Sequence, residues 1–209
     1  YFDLLAEKFT HYPHDLSDVK SIPSNLVQSL FVDRSGDLWV GFKGFGVAKS
    51  SPSAVKFSHL FKKPGHTSTL TSSIVMAVCQ TKDNKIWIGT YGGGVNVWDR
   101  ENGKFKAYTL DRNNLNSLDN NFVYAIIQDN FNSEIMWIGT EDGLNKLNAK
   151  TDKFRHYKKD PDDPSSLPSH GIRCLLQDND GSIWIGTILS GLIHFSPQTD
   201  CFIKYLPNL

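Results

Sequence analysis

The sequence predicts an all-β chain: a β-propeller fragment of four four-stranded antiparallel blades plus the outer strands of a preceding blade. Three markers recurring in one phase carry that prediction. The first is "LWVGF" at Leu38, "IWIGT" at Ile86, "MWIGT" at Met136 and "IWIGT" at Ile183, which spaces Trp39, Trp87, Trp137 and Trp184 by 48, 50 and 47 residues. The second is "FTHY" at Phe9, "FSHL" at Phe57, "FKAY" at Phe105, "FRHY" at Phe154 and "FIKY" at Phe202. The third is "SIPSNLV" at Ser21, "TLTSSIV" at Thr69, "SLDNNFV" at Ser117 and "SLPSHGI" at Ser166. A repeat of about 40–50 residues with an aromatic marker in each copy is the pattern of radially arranged four-stranded sheets.

Four segments, a to d, alternate with turn chemistry inside each copy. The third copy shows them best. "FVYAIIQD" from Phe122 is rich in β-branched and aromatic residues and predicts strand a. "IMWIGT" follows "NFNSE" as strand b, "GLNKLN" is strand c, and "KFRHYK" after "AKTD" is strand d. Turns between a and b read from "DRSG" at Asp33, "KDNK" at Lys82 and "DNDG" at Asp178, because Asp and Asn tolerate the left-handed region and Gly enters it freely. No stretch longer than a turn or two has helical spacing. In strand b the Trp and the Ile that follows it fall on opposite faces. Both are large and apolar, so both faces need covering, which sandwiching a blade between two others provides.

The phase of the repeat divides the chain into the outer c and d strands of a preceding blade at residues 1–14 and blades at 15–60, 61–110, 111–160 and 161–209. Rings of this kind commonly close with about four to eight blades. The surplus hairpin lacks a and b partners, so the chain reads as part of a larger propeller, its exposed blade faces covered by self-association or by further blades.

Twenty-two basic residues balance 22 acidic ones in 209, and neither sign forms a block. That lacks the electrostatic footprint of a nucleic-acid or anionic-membrane binder, so no nucleic acid and no membrane contact are expected of this segment. No apolar run approaches the roughly 20 residues needed to span a bilayer, and no secretion signal opens the chain. Cys79, Cys174 and Cys201 form no C-x-x-C pair and occupy unrelated repeat positions, so they read as small apolar strand residues. Nothing calls for a metal or a cofactor. "HYPH" sets His11 and His14 on opposite sides of a proline, and "DNDG" has no Glu at the distance a calcium loop requires.

The stretches "DNDGSIWIGTILSGL", "NSEIMWIGTEDGLNKLN" and "FRHYKKDPDDPSSLPSHGI" resemble the two-component regulator propeller repeat, and the resemblance recurs four times along the chain. The first copy departs with "WVGF" for Trp-Ile-Gly-Thr, and the second lacks the Asp-Gly turn. In that family the repeats build the extracytoplasmic sensor region of hybrid histidine kinases, with a β-sandwich, a membrane span, a kinase core and often a DNA-binding domain downstream. The resemblance thus implies a periplasmic segment that senses a ligand, commonly an oligosaccharide, and signals across the membrane through other domains. It implies no enzyme activity for the segment itself, since the chain has no phosphoacceptor His motif, nucleotide-binding Gly box or helix-turn-helix. Two other readings are a structural or dimerising scaffold and a carbohydrate-active propeller enzyme.

Because strands b and d run in the same direction, b–c turns and d–a loops emerge on one face. The glycines of "TYGGGV" lie in such a turn. A hairpin accounts for them, since no strand-to-helix transition follows as a phosphate loop would need. One Gly recurs at the last turn position and predicts a positive φ there. What varies from blade to blade on this face is where a repeat scaffold places specificity. The candidate ligand-binding residues are Lys43, Tyr91, Asn121, Glu141, Asp142, His170 and Arg173. Amide, carboxylate and aromatic groups together suit the hydroxyls and weakly apolar face of a sugar. The four repeated Trp residues read as core, as does Trp98 in strand c, and His11, His59 and His156 read as a strand-face habit two places after a recurring Phe. No catalytic set is legible: Glu141 and Asp142 are adjacent in a tight turn, not opposed across a substrate.

Overall fold

The computed structural model describes residues 2–51, 57–63, 65 and 69–205. A short antiparallel hairpin, β1 (Phe2–Asp3) with β2 (Lys8–Phe9), opens the chain. Blade 1 contains β3 (Val27–Val32), β4 (Leu38–Phe42), β5 (Gly46–Ser50) and β6 (Phe57–Leu60). Blade 2 contains β7 (Val75–Gln80), β8 (Ile86–Thr90), β9 (Gly94–Trp98) and β10 (Phe105–Tyr108). Blade 3 contains β11 (Val123–Gln128), β12 (Ile135–Thr140), β13 (Gly143–Asn148) and β14 (Lys153–Lys158). Blade 4 contains β15 (Ile172–Gln177), β16 (Ile183–Thr187), β17 (Leu192–Ser196) and β18 (Cys201–Tyr205). Each sheet is antiparallel and pairs its strands in chain order, and strands are the only regular elements among the described residues. The four inner strands stand side by side, β3 beside β7, β7 beside β11 and β11 beside β15.

The core lies between blades. Trp39 and Val47 of blade 1 pack with Leu70, Val75, Ile86 and Ile88 of blade 2. Trp87 and Val95 of blade 2 pack with Leu118, Val123, Met136 and Ile138 of blade 3. Trp137 and Leu144 of blade 3 pack with Leu167, Ile172, Ile183 and Ile185 of blade 4. Each blade therefore offers its Trp face to the next blade and its Ile face to the one before, which is why one motif can bury both. At the ends of the arc those faces open. Val27, Leu30 and Val32 are exposed on β3, as are Leu176 on β15 and Ile203 and Tyr205 on β18. Cys174 and Cys201 also lie on blade 4 strands and are exposed, so of the three cysteines only Cys79 is half-buried.

The Ser-Leu marker is an anchor. Ile22, Leu70, Leu118 and Leu167 are all buried where each d–a loop enters its blade. His59 and His156 bond back to that marker, Nε2 lying 3.0 and 2.8 Å from the Ser21 and Ser117 carbonyl oxygens. The residue after the anchor is matched to strand c. Thr71 donates its N–H to Asn96 Oδ1, and Asp119 donates its N–H to Asn145 Oδ1, while each Asn amide donates in return to the Thr or Asp side chain. Blades 1 and 4 have Pro23 and Pro168 there, with no N–H to offer, and the facing strand-c residues are the buried Ala48 and Ile193. An Asn buried opposite proline would lack a partner, and burying an unpaired amide costs free energy.

A glutamine closing strand a ties each of blades 2, 3 and 4 to the one before it. Gln80 accepts the N–H of Arg34, Gln128 that of Lys82, and Gln177 that of Asn130, at 2.7–2.9 Å. Gln128 also donates to the Ser133 carbonyl at 2.6 Å. Gln128→Ala is expected to destabilise the chain by about 1 kcal/mol, the net worth of such partly exposed bonds, as read by urea denaturation. An unchanged midpoint would show that water replaces both bonds without loss.

Candidate functional site

The turn following strand b is fixed by backbone bonds before any side chain acts. The N–H groups of Lys43, Tyr91, Glu141 and Ile188 donate to the carbonyls of Leu26, Ile74, Phe122 and Gly171 in the adjoining d–a loop. Consecutive blades are stitched on the same face: Gly46 donates to Ser73, Gly92 and Gly94 donate to Asn121, and Gly171 donates to Glu141. The b–c and d–a connections share one face, as the sequence expected, and these backbone bonds tie them into a platform. The glycines serve that geometry. Gly94 has φ of 70°, and a Cβ there would lie 2.2 Å from the Tyr108 carbonyl oxygen, so positive φ and close backbone approach are both required.

Between blades 2 and 4 on this platform the structure gathers three of the candidate residues, Tyr91, Glu141 and Arg173, around two that the sequence reading did not single out, Phe122 and Tyr124. Tyr91 is 45% exposed and packs on Phe122 at 4.4 Å and edge-on to Tyr124 at 6.2 Å between ring centroids. The Arg173 guanidinium lies 3.6 Å from the Tyr124 ring centroid, and its Nη1 is 3.1 Å from Glu141 Oε2. Burial and a hydrogen bond to Glu141 push the Tyr124 hydroxyl up to about 12. The same bond, with Arg173 beside it, holds the Glu141 carboxyl below its ordinary range. Glu141 is thus held as a carboxylate, the wrong state for a general acid. The cluster is a stacking and hydrogen-bonding surface.

The other four candidates stand apart from it. Lys43 is exposed on the blade 1 turn, with no side-chain contact among the described residues. Asn121 serves the scaffold, its Oδ1 accepting the Leu110 N–H at 2.7 Å. Asp142 is half-buried in its turn and donates its N–H to Thr140 Oγ1. His170 is exposed beside Gly171, and its carbonyl accepts the Ser169 hydroxyl. A further residue missed from sequence is Asp119. Its Oδ1 takes bonds from Thr140 and Asn145, while Oδ2 is buried without a partner among the described residues. Phe122 and Tyr124 have a readable signal in retrospect, since they flank the start of strand a, whose even positions turn toward the neighbouring blade's turn.

Trp39, Trp87 and Trp137 are core, as expected, whereas Trp184 at the open end of the arc is only half-buried. Trp39, Trp137 and Trp184 donate their indole N–H to Asp33, Asp129 and Asp178 at 2.9–3.1 Å, which also gives the "DNDG" aspartate its structural role. Trp98 stacks on Phe105 and meets Trp39 edge-on at 5.8 Å. Among the described residues no cluster of His, Cys, Asp and Glu is arranged to hold a metal.

The two-component regulator propeller model matches residues 21–44, 69–92 and 166–188, each running from a Ser-Leu anchor through strand b. No curated protein matches the chain. Among solved structures, the extracellular domain of the hybrid two-component system BT3049 from B. thetaiotaomicron is 26% identical, with a TM-score of 0.77 over 87% of this chain and 25% of that one. The extracellular domain of BT4673 from the same organism is 17% identical, with a TM-score of 0.61 over 93% of this chain and 33% of that one. PorZ, a surface component of the type-IX secretion system of Porphyromonas gingivalis, is 14% identical, with a TM-score of 0.62 over 86% and 27%. The last two likenesses concern the fold alone. The chain spans between a quarter and a third of the length of these structures. Three of the four blades thus carry a stretch that matches the two-component regulator propeller repeat, and the fold as a whole is similar to that of the extracellular domain of a hybrid two-component system.

Proposed function

We propose that the chain is a non-enzymatic recognition segment in the extracytoplasmic part of a hybrid two-component sensor, and that it takes an oligosaccharide on the b–c and d–a loop face. The observation that supports this most is the exposed Tyr91 ring set beside Phe122, Tyr124, Glu141 and Arg173 on a platform pinned by backbone bonds. An aromatic face flanked by a carboxylate and a guanidinium matches a sugar's apolar face and its hydroxyls. Signalling would pass to downstream domains only if the ligand favours one of two packings, and kinase activity belongs to the parent protein.

Calorimetric titration of the full chain with a panel of neutral oligosaccharides tests the reading. One of them is expected to bind saturably, with affinity falling about tenfold in Tyr91→Ala, the worth of one aromatic contact. A folded chain that binds none would overturn it. That outcome favours the second reading, a dimerising scaffold, which the exposed Val27, Leu30 and Val32 at one end of the arc and Leu176 and Ile203 at the other support. Sedimentation velocity would then show concentration-dependent association.

A further inference from the structure

On the opposite face, where the a–b and c–d turns of blades 2 and 3 meet, a cavity of about 800 Å³ opens over Trp87. The groove between blades 1 and 2 shows how the repeat normally closes that space. There Asp33 accepts the Trp39 indole N–H at 3.0 Å and Arg100 Nη1 at 2.7 Å. Asp37 accepts Lys49 at 2.5 Å and Arg100 Nη2 at 3.3 Å. Lys49 and Arg100 lie over the Trp39 ring, 5.6 and 5.7 Å from its centroid. The groove is filled and its charges are matched from within the chain.

The equivalents in the next groove are Thr81 for Asp33, Lys85 for Asp37, Val97 for Lys49 and Ala149 for Arg100. Register establishes them. Trp39 pairs with Lys49 and Trp87 with Val97. Asp99 and Asn148 each cap a c–d turn by accepting the N–H two residues on, which aligns Arg100 with Ala149. All four replacements line the cavity. Val97 and Ala149 remove the two long side chains that fill the first groove, and together the four replacements exchange two carboxylates, an ammonium and a guanidinium for a hydroxyl, one ammonium and two small apolar groups. The indole N–H that is bonded to Asp in the other three blades has no protein acceptor in Trp87 among the described residues, and it stays in reach of solvent, since the buried unpaired side-chain atoms among those residues are Ser29 Oγ and Asp119 Oδ2. Lys104, also lining the space, has no carboxylate partner among the described residues, whereas the Lys82 ammonium donates to the Asn130 carbonyl at 2.9 Å and Lys85 and Lys150 are paired with Asp83 and Glu134.

We infer that this groove binds an acidic saccharide, whose carboxylate stands where Asp33 stands in the neighbouring groove. The carboxylate accepts the Trp87 N–H and faces Lys104. Such charge-assisted bonds are the strong ones in a recessed site. Phe105, half-buried in the lining, offers an apolar edge to the sugar ring, and the Asp83, Lys85, Asp99, Glu134 and Lys150 heads can take hydroxyls. The volume is that of a site for a ligand of a few rings. This site uses no residue of the loop face and stands or falls separately from it.

The test is titration of the full chain with trigalacturonate, with neutral galactotriose as control, read by calorimetry and by the indole N–H resonance of Trp87, identified through its loss in Trp87→Phe. Trigalacturonate is expected to bind saturably and shift that resonance, and galactotriose to leave it in place. Lys104→Gln, at an exposed position, is expected to weaken binding about fivefold. Ala149→Arg, which restores the filler of the first groove, is expected to lower affinity at least tenfold while leaving the thermal midpoint unaltered. Equal binding of the two trimers, no saturable binding by the folded chain, or unchanged affinity in Ala149→Arg would overturn the proposal. Uronate binding lost in Tyr91→Ala with the Trp87 resonance unmoved would assign the ligand to the loop face and overturn it too.

Discussion

Trp137→Ala is expected to destabilise the chain by about 3–5 kcal/mol, and Trp184→Ala, the same residue of the same motif one blade on, by about 1–2 kcal/mol. Trp137 is wholly buried. It donates to Asp129 at 2.9 Å, meets Phe195 of blade 4 edge-on at 5.8 Å and packs on Tyr157 at 6.2 Å, with Lys146 over its ring. Truncation would leave a cavity between two blades that cannot collapse without moving a sheet, and would strand the Asp129 carboxylate without one of its donors. Trp184 is half-buried and covered within its own blade, by His194 at 4.6 Å and Tyr205 at 5.6 Å. Its other face is open, so less apolar area returns to water when it is removed. Urea denaturation of both variants measures the difference. Equal losses would mean that packing within a blade, not between blades, carries the stability of the arc.

That contrast also shows where sequence reading succeeds and where it stops. Strand identity and blade number were legible because the relevant signals are local and repeated: Trp and Ile on opposite faces of strand b, Ser-Leu before strand a, Phe and Tyr on strand d. The shared face of the b–c and d–a connections was legible too, since strand direction alone dictates it. Which loop residues meet was not. Tyr91 and Arg173 lie 82 residues apart in the chain, and their common neighbour Tyr124 looks like one more aromatic strand residue until the inter-blade register places it under the guanidinium. Asn121 failed to stand out as scaffold for the same reason, its role resting on the Leu110 N–H across a loop. The cavity over Trp87 depends on departures from the repeat rather than on the repeat. Thr81 in place of Asp was visible as a missing turn signal, but Ala149 in place of Arg100 gains meaning only when the c–d turn is seen reaching back over the preceding blade's Trp.

Asp33→Ala is expected to cost about 3 kcal/mol at neutral pH, because it leaves the buried indole N–H without an acceptor and the Arg100 guanidinium with Asp37 alone. The Asp33 side chain is fully buried. Its oxygens accept Trp39 Nε1, Arg100 Nη1 and the N–H groups of Ser35 and Asp37. Burial alone would raise its pKa, but the bonds from Trp39, Asp37 and Ser35 and the charge of Arg100 outweigh that and hold it below the usual carboxylate range. Asp37 is likewise lowered against burial, by its bonds to Lys49 and Ser51, with Asp33 opposing. The direction fixes the pH window. A carboxylate whose folded pKa is depressed contributes its stabilisation fully above the unfolded value, near 3.8, and loses it as the pH falls through the lower folded value. The wild-type chain should therefore lose stability steeply below about pH 4, where the unfolded chain's carboxylates are protonated and must release their protons to fold. Asp33→Ala should lose less over the same interval, so that the two denaturation midpoints converge on acidification. A gap that stays constant down to pH 2 would show that Asp33 is held by packing in either charge state, and that the Arg100 pair contributes nothing to the joint between blades 1 and 2.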